Sequence, residues 1–163
     1  MTDPPAQRYL EDVSVGDLFE QAHQPTHAQV TTWVKLTGMF QDDRRVFDLD
    51  AARAAGLERP IVPGPISVIM LERLVTDWIG ARGRMQILEV SYRRPVLHDD
   101  LIRCIALVTD IIADGDYEGT DEGAVHLDVS LENERGERPV LGTAIVVVPR
   151  RGDAPVGVRN DRR

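Results

Sequence analysis

Residues 59–80 read RPIVPGPISVIMLERLVTDWIG, and the fold turns on them. Pro63, Gly64 and Pro65 interrupt any structure arriving from upstream. Pro65 suits the first turn of a helix, because the N–H it lacks would have had no partner there. Beyond that turn Ile66, Ile69, Met70, Leu74 and Trp78 recur at helical spacing. Val68, Leu71, Val75 and Ile79 widen the apolar stripe until little polar surface is left apart from Glu72, Arg73, Thr76 and Asp77. So apolar a helix is expected to be buried on most sides. Gly80 and Gly83 supply its stop.

Upstream of this helix the chain is mixed. Residues 9–20, YLEDVSVGDLFE, read as a turn at Val15, Gly16 and Asp17 followed by a short strand. Thr26 opens a helix as a capping box with Gln29; Val30, Trp33, Val34 and Leu36 form its apolar face, and Gly38 ends it. Residues 39–48, MFQDDRRVFD, have no clear period and carry four charges in a row, so they read as a loop. Asp50 is the expected cap of a short helix, AARAAG, that stops at Gly56.

Downstream, the texture changes to strands. Residues 86–92 form a first run that Pro95 ends, and residues 101–113 a second with Ile102, Cys104, Ala106 and Val108 on one face. Residues 124–131 alternate cleanly, with Val125, Leu127, Val129 and Leu131 pointing one way and His126, Asp128 and Ser130 the other. Residues 140–148 are almost continuously apolar and suit a central strand. Turns at residues 114–116 and 133–137 fit hairpin connections. The sum is an α+β protein whose antiparallel sheet curls around one long buried helix. Such a sheet leaves open edges and a second apolar face, so pairing with another copy or a sister subunit is expected.

The 163 residues suffice for one domain with a core that needs no disulfide or metal staple; we expect residues 1–149 to form it and residues 150–163 to be a polar, disordered tail. No apolar run is long enough to span a bilayer, and the N-terminus lacks a basic region followed by an apolar core, so no membrane and a cytoplasmic location are expected. Cys104, alone in an apolar stretch, reads as a buried free thiol. The net charge of −8 argues against nucleic acid as a partner, because phosphate binding needs a basic face; a few local arginines still suffice for an acyl-CoA. No two histidines have metal-ligand spacing, and there is neither a Gly-rich phosphate loop nor a Gly-x-Ser-x-Gly turn, so no metal or resident cofactor is expected.

Several stretches, in order, resemble one family. They are YLEDVSVGDLF at the start, THAQVTTWVKLTG, FDLDAARAAGLERPIVPG with its Arg-Pro-Ile-x-x-Gly turn, and RPVLHDD, which is similar to a Pro-Val-x-x-Gly-Asp turn. Together they resemble the MaoC-like dehydratases and (R)-specific enoyl-CoA hydratases, and the resemblance implies the hotdog fold. In that family the loop after the first helix carries Gly-Asp-x-Asn-Pro-x-His, whose Asp and His activate water for addition across a trans-2-enoyl thioester. Here the Asp position falls on Gln41 and the His position on Val46, and Pro63 stands where a His usually precedes the turn glycine. Valine does not titrate, and a glutamine amide orients a water without accepting its proton. What the resemblance leaves intact is Gly64, whose N–H corresponds to the oxyanion-hole donor for the thioester carbonyl, together with Asp48 after the missing His and Asp100 in the later turn. The family's pocket serine falls at Glu72.

Three functional readings follow. The first is a non-catalytic, acyl-CoA-binding half of a heteromeric hydratase whose sister subunit supplies Asp and His, with Gly64, Gln41, Val46 and Asp48 around the substrate. The second is an active hydratase or thioesterase, as a homodimer or heteromer, using Asp42, Asp43 or Glu72 as a replacement carboxylate. The third is an acyl-thioester-binding or assembly module without turnover. Against these stand plainer readings: Asp42, Asp43, Arg44 and Arg45 as a solvated loop pairing with itself rather than a base and a CoA-phosphate clamp, and Glu72 at a wet helix edge. His23 and His27 read as surface residues, His98 as an exposed residue in place of the turn glycine, and His126 as structural.

Overall fold

The computed structural model describes residues 6–112 and 122–151. The 59–80 stretch forms helix α3, Gly64–Ile79, with Pro65 in its first turn and Gly80 at its end. Gly80 has φ +78°, and a Cβ there would fall 2.8 Å from the Cα of Gln7, so both conformation and close approach require glycine. Ser67, Met70, Leu71, Leu74, Val75 and Ile79 are the buried positions, a stripe at three- and four-residue spacing. Ile69 is 46% exposed, and Ile66, Val68 and Trp78 are half-buried. The expectation of burial on most sides is therefore corrected: the sheet covers one side of α3, and the apolar stripe is wider than the face it covers.

Five strands follow the order β1-β3-β4-β5-β2, every neighbouring pair antiparallel: β1 is Leu18–His23, β2 Arg84–Tyr92, β3 Ile102–Ile112, β4 Glu122–Asn133 and β5 Val140–Pro149. The expected inward residues of β3 (Ile102, Cys104, Ala106, Val108) and of β4 (Val125, Leu127, Val129, Leu131) are buried and join the α3 stripe in one apolar cluster. Register shifts between Met85 and Ile87 and between Val108 and Asp110 mark β-bulges, which raise local twist and let the sheet curl around the helix. Phe19 on β1 stacks on Trp78, ring centroids 4.3 Å apart, and so anchors the edge strand to the last turn of α3. Burial pushes the free Cys104 thiol up to about 12, which keeps it protonated and inert.

Helix α1, His27–Thr37, has the expected capping box between Thr26 and Gln29 and ends at Gly38 with φ +72°. Its buried residues are Val30 and Val34; Leu36 is 82% exposed and does not belong to the apolar face assigned to it. Helix α2, Leu49–Ala54, is capped by Asp48 rather than Asp50, the Asp48 carboxylate accepting from the N–H groups of Asp50 (2.9 Å) and Ala51 (3.2 Å). The loop between them is more ordered than its lack of period suggests, because Arg44–Val46 form a 3-10 turn that buries Val46. Around residues 133–137 the Asn133 side chain accepts from the N–H groups of Arg135 and Glu137, and Gly136 takes φ +72°, as a tight hairpin needs. The turn expected at residues 114–116 lies outside the described residues, as do residues 152–163 of the expected tail. No helix among the described residues is long and apolar enough to cross a membrane.

Candidate functional site

The approach to Gly64 is held by a clamp between two loops. Arg59 donates to Asp100 (2.5 Å) and to the His98 carbonyl, Asp100 accepts from the Leu97 N–H (2.9 Å), and the Val62 N–H donates to Val96 (2.8 Å). Asp99, not His98, is the left-handed residue of that turn, with φ +63°, so the glycine-like position was assigned one residue too early. His98 itself is buried, contrary to expectation, with its Nδ1 3.1 Å from Nδ1 of His27. Burial first, and the neighbouring His27 second, hold its pKa below the usual imidazole range.

Above the clamp lies a cleft of about 520 Å³ walled by Ile61, Val62, Pro65, Val96, Val140 and, from the loop after α1, Phe40. Phe40 is held at φ +60°, a conformation rare outside glycine. Two neutral donors line this space, and a third, Tyr92, stands 53% exposed at its edge. The Gly64 N–H, in the first turn of α3, meets no acceptor among the described residues. Ser67, one turn on and 2% exposed, makes no hydrogen bond among the described residues either. Tyr92, at the end of β2, lies so close that a Cβ on Gly64 would fall 3.0 Å from its Cζ and Oη. Partial burial raises the Tyr92 pKa, so the phenol remains a protonated donor near neutrality. Arg93 and Arg94 stand at the rim; Arg94 pairs with Glu137 at 3.2 Å, whereas Arg93 has no ion-pair partner among the described residues. No Asp, Glu or His is among the described residues that line the cleft.

Of the residues singled out in the sequence, the structure brings only Gly64 to this cleft. Val46 is buried in the core, Gln41 and Asp42 are exposed, and Asp43 caps the 3-10 turn while gripping Arg45 through Nε (2.9 Å) and Nη2 (2.7 Å). The Arg45 guanidinium holds the Asp43 carboxyl below its usual range. Asp48 pairs with Arg44 and caps α2, and its pKa is lowered by the same contacts. Glu72 is exposed on the outer face of α3. The sequence reading missed Ser67, Tyr92 and Arg93. Ser67 was legible, since a residue three places after Gly64 in a helix shares its face; the approach of Tyr92 is a long-range contact with no local signal.

A second cleft, of about 460 Å³, lies between β1, α1 and α3 and is walled by Val30, Trp33, Ile66, Ile69 and Met70. Its one titratable side chain among the described lining residues is His23, half-buried rather than at the surface as expected, with Nε2 sealed from solvent and without a hydrogen bond. Burial, then Arg73, lowers its pKa, with Asp77 opposing. Among the described residues no group of three or more His, Cys, Asp or Glu could hold a metal ion.

No protein-family model matches the sequence, and no curated protein matches it. Among solved structures the chain is similar to a MaoC-like dehydratase from Rhodospirillum rubrum, at 26% identity over 88% of this chain and 98% of that one, with a TM-score of 0.72. An (R)-hydratase from A. caviae involved in PHA biosynthesis shares 21% identity over 85% of this chain and 99% of that one, with a TM-score of 0.71. The ChsH1–ChsH2 complex from Mycobacterium tuberculosis contains a chain with 21% identity over 83% and 98% of the two lengths, TM-score 0.68.

Proposed function

Starting from a chain that is a MaoC-like hotdog protein, we propose that it binds an acyl thioester such as an acyl-CoA without transforming it alone, as the non-catalytic half of a heteromeric hydratase or dehydratase. The observation that carries this reading is the content of the Gly64 cleft: donors and an arginine for which no partner is found among the described residues, and no Asp, Glu or His among the described residues that line it. Hydration of an enoyl thioester needs a group that takes a proton from water and returns one to the α-carbon. The Ile, Val and Pro side chains of the lining do neither, and Tyr92, with its raised pKa, is a donor rather than a base near neutrality. Binding needs less. An N–H at a helix N-terminus, backed by the helix dipole, suits a thioester carbonyl oxygen. The Arg93 guanidinium suits a CoA phosphate.

The candidate carboxylates support the same reading from the other side. Asp43 and Asp48 are committed to arginines and helix caps, and Glu72 and Asp42 are exposed and do not line the cleft. The sister subunit would bring the acid–base pair to the open cleft. The similarity to a chain of the ChsH1–ChsH2 complex supports a two-chain assembly.

The test is hydration of a panel of trans-2-enoyl-CoAs by the purified chain, with free thiol followed in the same samples and octanoyl-CoA binding followed by calorimetry. Binding without turnover is the expected result. Hydration by the chain alone sinks the non-catalytic reading, and thiol release moves the protein to the thioesterases.

A further inference from the structure

We propose that Phe40 is the specificity-determining wall of the Gly64 cleft, selecting a slim, linear acyl chain over a branched one of the same composition. This rests on the acyl-thioester-binding reading above and names the shape of the ligand's apolar part.

Phe40 is costly where it stands. At φ +60° a Cβ crowds the carbonyl oxygen that follows it, so glycine ordinarily takes such positions. The turn does not call for a phenyl ring: its hydrogen bond runs from the Asp43 N–H to the Phe40 carbonyl (3.2 Å), and any residue supplies that carbonyl. Nor does the core call for it. Phe47, further along the same segment, packs against the core cluster. Phe40 is 39% exposed and belongs neither to that cluster nor to the partly buried residues packed on it. A strained backbone kept for a side chain that adds little to the core points to a role at a site, and the site this ring lines is the Gly64 cleft.

Its place among the walls says what that role is. Every other described lining residue falls within 61–67 or 92–96, or is Val140, and these segments are tied to one another. The Val62 N–H donates to the Val96 carbonyl (2.8 Å), Ile61 bridges to Leu97, and the Arg93 N–H donates to the Pro139 carbonyl (2.8 Å) beside Val140. That frame fixes its side of the cleft. Phe40 comes instead from the segment after α1, so the reach of its side chain sets the width that is left. The exposed part of the ring is apolar surface that a bound chain would cover. A flat face suits a linear chain, whereas a branch presses on the ring or on the frame, and such overpacking is unfavourable.

Octanoyl-CoA and its isomer 2-ethylhexanoyl-CoA are the probes, since they contain the same atoms and differ in width. Calorimetry gives both affinities for the wild-type chain, Phe40→Gly and Phe40→Tyr, and thermal melts compare Phe40→Gly with Phe40→Ala. Both small variants lose the ring, but glycine is at ease at φ +60°, so Phe40→Gly should melt about 2–4 °C above Phe40→Ala. The wild-type chain is expected to bind the linear isomer about tenfold more tightly than the branched one. Phe40→Gly should lose that preference, and Phe40→Tyr, which keeps the ring, should retain it. Octanoyl-CoA binding with the same isomer preference in the wild-type chain and Phe40→Gly overturns the proposal alone, as does a wild-type chain that binds both isomers alike. Equal melting of Phe40→Gly and Phe40→Ala removes the strain on which the proposal stands and also overturns it. Absence of octanoyl-CoA binding by the wild-type chain overturns it together with the acyl-thioester-binding reading.

Discussion

Residues 39–48 and residues 62–67 meet around one cleft, and they use their polar groups in opposite ways. In the first segment Asp43 grips Arg45 and caps a 3-10 turn, Asp48 grips Arg44 and caps α2, and Val46 is sunk in the core. In the second, the Gly64 N–H and the Ser67 hydroxyl find no partner among the described residues and line a largely apolar cleft. A charged group already held by its own chain neither moves protons readily nor reaches a ligand, because its preferred partner must first be displaced. Donors left open at the head of a rigid helix are ready to bind. The loop where chemistry was expected holds its charges within itself, and the turn presents open donors to the cleft.

The largest effect expected from breaking this contrast is at Val46. Val46→Asp would give the loop a carboxylate at its expected catalytic His position, yet the side chain is fully buried in the apolar core cluster. A loss of at least about 3 kcal/mol in urea denaturation is expected, as for an uncompensated buried charge, with no gain of hydration activity. A stable variant that hydrates enoyl-CoA would instead show the loop to be a dormant site.

A smaller effect is expected at Asp48. Asp48→Ala removes the α2 cap and should cost about 1 kcal/mol by the same measurement, while octanoyl-CoA affinity stays at the wild-type value, since Asp48 does not line the cleft. A tenfold or larger loss of affinity would mean that the Asp48 end of the loop contributes to binding.

The smallest effect is that of pH on the clamp beneath Gly64. His98 faces His27 on α1, Arg59 on the facing loop, and Asp99 and Asp100 on its own turn. Its folded pKa lies below the unfolded value of about 6.5, as does that of His23, so the unfolded chain binds protons first. Their contribution is fully present above about pH 6.5 and is lost as the pH falls from there towards the depressed folded values. Asp43 and Asp48, with lowered pKa values, remain ionised across that window and lose their contribution only below about pH 4. The urea midpoint should therefore fall between about pH 7.5 and 5. A flat midpoint would mean that the clamp tolerates charged His98.

Much of the architecture was legible because it depends on local pattern. The Pro-Gly-Pro entry to α3, the Thr26–Gln29 capping box, and the inward alternation of β3 and β4 are short-range signals, and each appears where the sequence placed it. Other local readings slipped by a residue or a face. Asp48 outcompetes Asp50 as the cap because its backbone leaves the 3-10 turn extended, and Leu36 fits a helical stripe that no other element covers. Position by position, the sequence also established that the loop holds neither a titratable group at residue 46 nor a base at residue 41.

Tertiary structure alone decided which polar groups are already satisfied. Whether Asp43 is free or held, whether His98 faces water or core, and whether Ser67 finds an acceptor depend on neighbours from other elements. The same holds for Tyr92, which reaches Gly64 only because β2 lies at the edge of a curled sheet and ends beside the first turn of α3. Helical and strand periods fix which face a side chain shares. They are silent on what stands opposite it, and it is the opposite wall that makes a site.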